Sequence, residues 1–258
     1  MPDTADNEFQ SGQTAAAAGD WASALAAYQR AVAADVGHWK ARFACGLARQ
    51  RLNAEQTALD DFDAVLQVRP ELPEAWYSRA VSRKRLHDFK ASLADCDEAL
   101  RLRPDYTDAG YLRCVCLKAL GQKDIALSGL NDLLAGSPEY IEARFCRATL
   151  VYEKCDFLAA IVDLDAYLKV RPSTYEALLL RGLAAHRIND NVVALGFLSL
   201  AIKVAPGKSN TYARRALVYK ALGREADADD DFVRFRSFQQ QEDRMAAHAK
   251  RRQSPWSL

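Results

Sequence analysis

Apolar residues recur along the chain at steps of three and four, in blocks that are separated by short polar or glycine-containing segments. This spacing is typical of the buried face of an amphipathic α-helix. The blocks come in pairs, and the same pairing returns along most of the chain. The pattern therefore predicts an all-α protein that is built from helix pairs.

Prolines fix the length of the repeating unit, because five of them lie 34 residues apart: Pro70, Pro104, Pro138, Pro172 and Pro206. Self-similarity at a fixed period of this size indicates a repeat architecture. We write the chain in rows of 34 residues with proline in column 32, which leaves residues 1–4 as an N-terminal extension and 243–258 as a basic C-terminal tail. The rows, numbered repeats 1 to 7, are 5–38, 39–72, 73–106, 107–140, 141–174, 175–208 and 209–242.

The columns of this alignment sort by size and polarity. Columns 8 and 20 hold small residues in every repeat, which lets two helix backbones approach closely. We expect one helix over about columns 2–14 and a second over about columns 18–31. A turn at column 15 joins them, marked by Gly or Asn in five repeats: Gly19, Asn53, Gly121, Asn189 and Gly223. Helices of this length are marginal alone, so stability must come from stacking each repeat on its neighbours.

The column 8 that is small in all seven repeats, the alanine found in six repeats at column 20 and the proline found in five at column 32 resemble the tetratricopeptide repeat family. The resemblance implies an α-α superhelix, a right-handed solenoid of seven helix-turn-helix repeats whose first helices line a concave groove. The pentatricopeptide family, which reads RNA, differs in repeat length and lacks this pattern of small residues.

Column 7, usually leucine in the family, is arginine in five repeats, and column 23 is aspartate in four. This variant resembles the arrays of J-domain co-chaperones, although the His-Pro-Asp motif of a J domain is absent from the sequence. The column faces the packing side, so we expect structural ion pairs, while the alternative is that the arginines bind an acidic tail. The sequence leaves open whether each arginine meets the aspartate of its own repeat or of the previous one. The residues assigned to the pairs are Arg79, Asp95, Arg147, Asp163, Arg215 and Asp231.

By the same resemblance, the groove wall is formed by columns 2, 5, 6, 9, 12 and 13. Column 5 is aromatic in the first five repeats, and columns 12 and 13 supply most of the basic residues. Aromatic rings anchor apolar side chains and cations hold carboxylates, so we expect a protein or peptide partner with acidic character. The alternative is that the rings fill space between neighbouring first helices and that the cations are solvated. The predicted groove residues are Phe43, Arg51, Tyr77, Lys84, Arg85, Tyr111, Lys118, Phe145 and Tyr152. The family's carboxylate clamp and asparagine ladder are both missing.

Charge and motifs exclude several function classes. The 35 Lys and Arg residues nearly balance 34 Asp and Glu residues, which argues against a whole-chain nucleic-acid binder. The four cations of the tail keep a nucleic-acid-associated factor as the weaker alternative. No nucleotide-binding or hydrolase motif is present, so we expect no enzyme, no cofactor, no metal site and no small-molecule substrate.

The compartment is expected to be the cytoplasm. No apolar run approaches the roughly 20 residues that a membrane span needs, and the first residues are acidic where a signal peptide is basic. The six cysteines form no C-x-x-C pair, so we expect free thiols. The function that follows is a non-catalytic scaffold or adaptor binding a peptide or a partner helix in the groove, with a co-chaperone array as the alternative.

Repeat 7 breaks the pattern at its end, because column 32 is Gln240 and residues 239–252 contain neither Pro nor Gly. We therefore expect one helix from about Ala226 to about Lys250. The rival is a separate capping helix after a bend near Gln240.

Overall fold

The computed structural model describes residues 2–253, apart from the side chains of residues 2–3, 242–243 and 246–253. In this part of the chain there are fourteen α-helices and no strands. The helices are α1 (Pro2–Ala17), α2 (Trp21–Ala34), α3 (Trp39–Arg51), α4 (Glu55–Val68), α5 (Pro73–Arg85), α6 (Phe89–Leu102), α7 (Thr107–Ala119), α8 (Lys123–Gly136), α9 (Ile141–Glu153), α10 (Phe157–Val170), α11 (Tyr175–Arg187), α12 (Asn191–Val204), α13 (Ser209–Ala221) and α14 (Glu225–Gln253). Within these residues, no helix has both the length and the apolar character to cross a membrane.

The helices pair as the repeat pattern predicts, each element beginning about one residue earlier than expected. From repeat 2 on, the first helix starts at column 1 and the second at column 17. The N-terminal extension differs from the expectation, because α1 already begins at Pro2. Proline is favoured at the first helical position, where its missing N–H costs no hydrogen bond.

The helices form two compact units. Unit 1 ends at Ser137 after α8, and unit 2 begins at Pro138 before α9. Inside each unit, every helix packs on the next one along the chain. The first helices also touch each other in series, α3 with α5 and α5 with α7 in unit 1, and α9 with α11 and α11 with α13 in unit 2. In each unit, the first helices of successive repeats therefore form a continuous wall.

Close helix packing follows from the small columns. All seven residues of column 20 are fully buried: Ala24, Ala58, Ser92, Ala126, Ala160, Ala194 and Ala228. The large side chain of column 24 packs against column 8 of the same repeat, so that a Cβ placed on Gly46 would lie 2.6 Å from the ring of Phe62. The alternation of small and large residues across the two helices lets them pack closely.

The turn between the two helices has the same backbone in every repeat. The residue in column 15 has a positive φ in all seven, including His87 and Cys155, which are not typical turn residues. In four repeats an aspartate follows at column 16 and caps the second helix, as Asp88 does by accepting a hydrogen bond of 3.1 Å from the Ala91 N–H. Turn and cap together fix where the second helix begins.

Helix α14 runs from Glu225 to Gln253 without a separate capping helix after Gln240. The ring of Phe238 stacks on Tyr212 of α13 with centroids 5.6 Å apart, which packs α14 onto the array. Met245, beyond the last repeat, is 66% exposed. The remainder of the predicted basic tail, residues 254–258, lies outside the described residues.

Candidate functional site

The wall of unit 1 carries one aromatic residue on each of three successive first helices. Phe43, Tyr77 and Tyr111 occupy column 5 of α3, α5 and α7, and all three are half-buried. Because these helices contact each other in series, the three rings belong to one continuous surface. The structure thus brings the predicted aromatic groove residues of unit 1 onto one wall.

Each of the first two rings also packs into the unit. Phe43 lies against Phe62 with ring centroids 5.7 Å apart, and Tyr77 lies against Tyr106 at 5.0 Å. Burial, followed by the nearby carboxylate of Asp108, raises the pKa of Tyr77. The rings therefore both fill space and present an exposed edge, so the two interpretations of column 5 are not exclusive.

The predicted cations of unit 1 lie on α3, α5 and α7. Arg85 forms an ion pair of 2.6 Å with Glu55, and the guanidinium of Arg51 lies 5.3 Å from the ring centroid of Trp21. Lys84 and Lys118, one on α5 and one on α7, are half-buried beside the aromatic column. Intramolecular contacts thus occupy the two arginines.

A buried polar cluster next to Arg85 was not predicted. The side-chain amide of Gln50 donates to the Ser82 Oγ at 2.8 Å, and this hydroxyl donates to Glu55 at 2.8 Å. Glu55 is 8% exposed and Ser82 is fully buried. Ser82 stands in column 10, which is apolar in most repeats. A serine at this position was the only feature of the sequence that could have indicated a buried polar cluster.

The predicted residues of unit 2 lie on α9. Phe145 packs on Tyr167 with centroids 5.0 Å apart, and Tyr152 meets the edge of Phe157 at 5.3 Å. Both are half-buried. They present the same combination of inward packing and exposed edge as the rings of unit 1.

Three of the column 7 arginines bind the aspartate of their own repeat in a bidentate manner. Arg147 donates to Asp163 at 2.7 and 2.8 Å, and Arg215 donates to Asp231 at the same two distances. Arg79 donates to Asp95 at 3.0 and 2.7 Å. The three aspartates are at most 2% exposed. The six residues assigned to ion pairs are thus brought together inside helix pairs.

The other two arginines pair with the previous repeat instead, and Arg79 binds Asp63 of the previous repeat in addition to Asp95. Arg113 donates to Asp97 at 2.6 Å, and Arg181 donates to Asp165 at 2.6 Å. Column 23 of their own repeats is Gly129 or Phe197 and offers no carboxylate. Pairing within a repeat and pairing between repeats, which the sequence left open, both occur.

At two of the buried aspartates of column 23, burial outweighs the neighbouring arginines. Burial raises the pKa of Asp95, although Arg79 and Arg83 stabilise the charged form of this carboxylate. Burial also raises the pKa of Asp61, although Arg49 and Arg42 stabilise its charged form. Such arginines hold carboxylates that have lost their water. The charge of an arginine that holds such a carboxylate serves the packing of the helices.

The cysteines show neither disulfides nor metal-site geometry. Five are buried and Cys155 is exposed, all as free thiols. Burial, followed by the charge of Asp61, raises the pKa of Cys45 to about 12. Among the described residues, no three His, Cys, Asp or Glu side chains are grouped so that they could hold a metal ion.

Two segments of the chain match a known repeat family. Residues 9–67 and 147–209 match the family model of the tetratricopeptide repeat. The chain contains tetratricopeptide repeats. No protein of curated function matches its sequence. Proteins with tetratricopeptide repeats are generally non-catalytic scaffolds, and the fold supports protein or peptide partners.

Three solved structures share the tetratricopeptide fold. A tetratricopeptide repeat protein from Parabacteroides merdae is 17% identical, with a TM-score of 0.68 over 92% of this chain and 93% of its own. PilW, a type IV pilus biogenesis factor, is 21% identical, with a TM-score of 0.69 over 78% and 94%. YrrB, a tetratricopeptide repeat protein with an unusual peptide-binding site, is 19% identical, with a TM-score of 0.58 over 71% and 95%. At these identities the likeness shows the fold.

Proposed function

We propose that the protein is a non-catalytic scaffold or adaptor that binds an extended peptide or a partner helix on the wall formed by α3, α5 and α7. The observation that carries the proposal is the row of half-exposed rings, Phe43, Tyr77 and Tyr111, at equivalent points of three touching helices. Rings held by inward packing are rigid anchors, which lose little entropy on binding. Peptide binding by YrrB, an array of the same fold, supports this interpretation.

The charges next to the rings favour an acidic partner. Lys84 lies about two turns from Tyr77 on α5, and Lys118 lies about two turns from Tyr111 on α7, so a peptide that contacts the rings also meets both cations. Asp108, close enough to raise the pKa of Tyr77, places a negative charge within this surface. We therefore propose a peptide that offers apolar side chains to the rings and carboxylates to the two lysines.

The test begins with selection of peptides from a displayed random library by the intact protein, followed by calorimetry on the selected peptides. Burying one aromatic side chain contributes about 1.5–3 kcal/mol. The double variant Tyr77→Ala with Tyr111→Ala should therefore bind at least about tenfold more weakly. Tyr77→Phe with Tyr111→Phe keeps both rings and should bind nearly as the wild type does. Equal binding by the alanine variant, with helicity intact, places the site elsewhere.

A second pair of variants tests the acidic preference. Lys84→Ala with Lys118→Ala should weaken the selected peptides and flatten the dependence of their affinity on salt. The control is Lys169→Ala with Lys203→Ala, which removes two exposed lysines from second helices of unit 2. A selection that yields no acidic residues would contradict the charge part of the proposal and leave the aromatic part standing.

The alternative function is a co-chaperone array, which the arginine and aspartate columns favour. A co-chaperone should retain the C-terminal tails of chaperones in a pull-down with the purified chaperones. The aromatics in column 5, where the carboxylate clamp needs lysine, favour the general peptide scaffold over this alternative. The weaker nucleic-acid alternative should show an affinity that falls steeply with salt.

We place the protein in the cytoplasm and propose no catalytic activity. The six cysteines are all unpaired, which is typical of a reducing compartment. Every polar cluster described above is accounted for by packing between helices. Fluorescent fusion imaging tests the location directly.

A further inference from the structure

Repeat 4 contains a pocket of about 520 Å³ that lies apart from the predicted groove residues. The pocket is bounded by the end of α6, the start of α7 and the second half of α8. Its lining includes Pro104, Gly110, Arg113, Gly129 and Gly136. The three glycines stand in columns 4, 23 and 30, which mostly hold larger side chains in the other repeats.

Other repeats show what fills this place when column 4 has a side chain. Trp76 donates its indole N–H to the carbonyl of Pro70 at 2.8 Å, and the hydroxyl of Tyr212 donates to the carbonyl of Pro206 at 3.1 Å. The column 7 arginine then covers the ring, with the Cζ of Arg79 4.7 Å from the Trp76 centroid. Each ring is thus held between a proline carbonyl and a guanidinium.

Repeat 4 keeps both of these partners but lacks the ring. Pro104 and Arg113 line the pocket in the places of Pro70 and Arg79, while Gly110 replaces the aromatic residue. The nearest side-chain atom to a Cβ built on Gly110 is the Cδ1 of Leu133 at 3.7 Å, and nothing lies within 4 Å of a Cβ on Gly136. The space is therefore open to a side chain entering from outside.

We propose that this pocket receives a tryptophan or tyrosine side chain of a partner protein, which donates a hydrogen bond to the Pro104 carbonyl and stacks under Arg113. Arginine also occurs in column 4, where Arg144 donates to the Pro138 carbonyl at 2.8 Å. That guanidinium lies 3.4 Å from Asp163 in column 23, where repeat 4 has Gly129. Without that carboxylate, Arg113 favours an aromatic ring over a second guanidinium. The pocket adds a specificity element to the scaffold that is independent of the groove.

The experiment uses the full chain labelled with ¹⁵N and three acetylated, amidated tripeptides, Ala-Trp-Ala, Ala-Phe-Ala and Ala-Leu-Ala. The tryptophan peptide should shift the amide signals of Gly110, Gly129 and Gly136 in a saturable way. The phenylalanine peptide lacks the hydrogen-bond donor and should bind about threefold or more weakly. The leucine peptide should bind most weakly, because it lacks the ring as well.

Gly110→Trp should fill the pocket with the chain's own side chain and abolish the shifts at Gly129 and Gly136. The matched control is Gly196→Trp, at an exposed helical glycine with open space around its Cβ, which should bind as the wild type does. If Gly110→Trp fails to fold, Gly136→Leu, which copies Leu102 of repeat 3, should weaken the tryptophan peptide at least threefold. Absence of saturable shifts, or equal binding of the tryptophan and leucine peptides, would overturn the proposal. Retained binding by Lys84→Ala with Lys118→Ala is expected and separates this pocket from the groove, because neither lysine lines the pocket.

Discussion

The guanidinium of Arg147 donates two hydrogen bonds, of 2.7 and 2.8 Å, to the carboxylate of Asp163, which lies 16 residues later in the chain. The aspartate side chain is 2% exposed, whereas Asp165, the partner of Arg181, is 43% exposed. A buried carboxylate that loses its cation remains desolvated without compensation, while an exposed one recovers water. The two arginines therefore occupy the same column, but removing Arg147 leaves a buried unpaired carboxylate and removing Arg181 leaves a partly exposed one.

Arg147→Ala should lower the free energy of unfolding by roughly 3–5 kcal/mol, because it strands Asp163. Arg181→Ala is the control and should cost less, because its partner Asp165 is 43% exposed and recovers water. Urea unfolding followed by circular dichroism measures both. A loss below about 1 kcal/mol for Arg147→Ala would show that the pair is not held in a desolvated site.

Gly46→Ala should destabilise the protein, even though alanine is the better helix former. The added Cβ meets the ring of Phe62 at 2.6 Å, and overpacking of this kind costs about 1–3 kcal/mol. The gain in helix propensity is only about 1 kcal/mol. Gly196→Ala has open space and should raise the midpoint of unfolding by that propensity alone. If both variants moved the midpoint in the same direction, close packing at column 8 would be refuted.

His87→Gly should stabilise the protein by up to about 1 kcal/mol. His87 has φ 63°, and this left-handed conformation costs an L-residue about 1–2 kcal/mol. Glycine avoids this cost but loses more conformational entropy on folding, which offsets part of the gain. Gly121→Ala reverses the exchange at the equivalent turn of the next repeat and should destabilise. Thermal unfolding of the two variants beside the wild type measures both shifts.

Thiol labelling should distinguish Cys155 from the other cysteines. Cys155 is exposed and should react with a thiol reagent in the native state at pH 8, whereas Cys45 is buried and its pKa is raised to about 12. Mass spectrometry of the labelled peptides identifies the site. Rapid native-state labelling of Cys45 would contradict its burial.

The same pKa shift predicts a loss of stability in alkali. Because the pKa of Cys45 is higher in the folded chain than its ordinary value of 9.0, the unfolded chain loses this proton first as the pH rises. The contribution of the thiol to stability is therefore complete below pH 9 and declines from there towards pH 12. The difference in unfolding free energy between wild type and Cys45→Ala should shrink over that range.

The helix pairs and the small columns could be predicted from the sequence, because the repeat period and the residue sizes determine them directly. The sequence indicated the turn only where column 15 is Gly or Asn, and His87 adopts the same backbone because the flanking helices impose it. The partner of Arg113 could not be read from its own repeat, since Gly129 removes the local carboxylate and the choice depends on three-dimensional distance. The pocket of repeat 4 also arises from absent side chains, which a pattern of present residues does not reveal.

In a one-dimensional array, stability is the sum of the stability of each repeat and the coupling between neighbouring repeats, and the two kinds of arginine pair contribute to different terms of this sum. A pair such as Arg215 with Asp231 lies inside one helix hairpin and adds to the intrinsic stability of that repeat, whereas Arg113 with Asp97 crosses a repeat boundary and adds to the coupling between neighbours. Arg113 thereby ties repeat 4 to repeat 3, Arg79 also ties repeat 3 to repeat 2 through Asp63, and Arg181 with Asp165 ties repeat 6 to repeat 5. Loss of a crossing pair weakens the coupling between two neighbouring hairpins, so fraying from an end would then proceed more readily by single repeats.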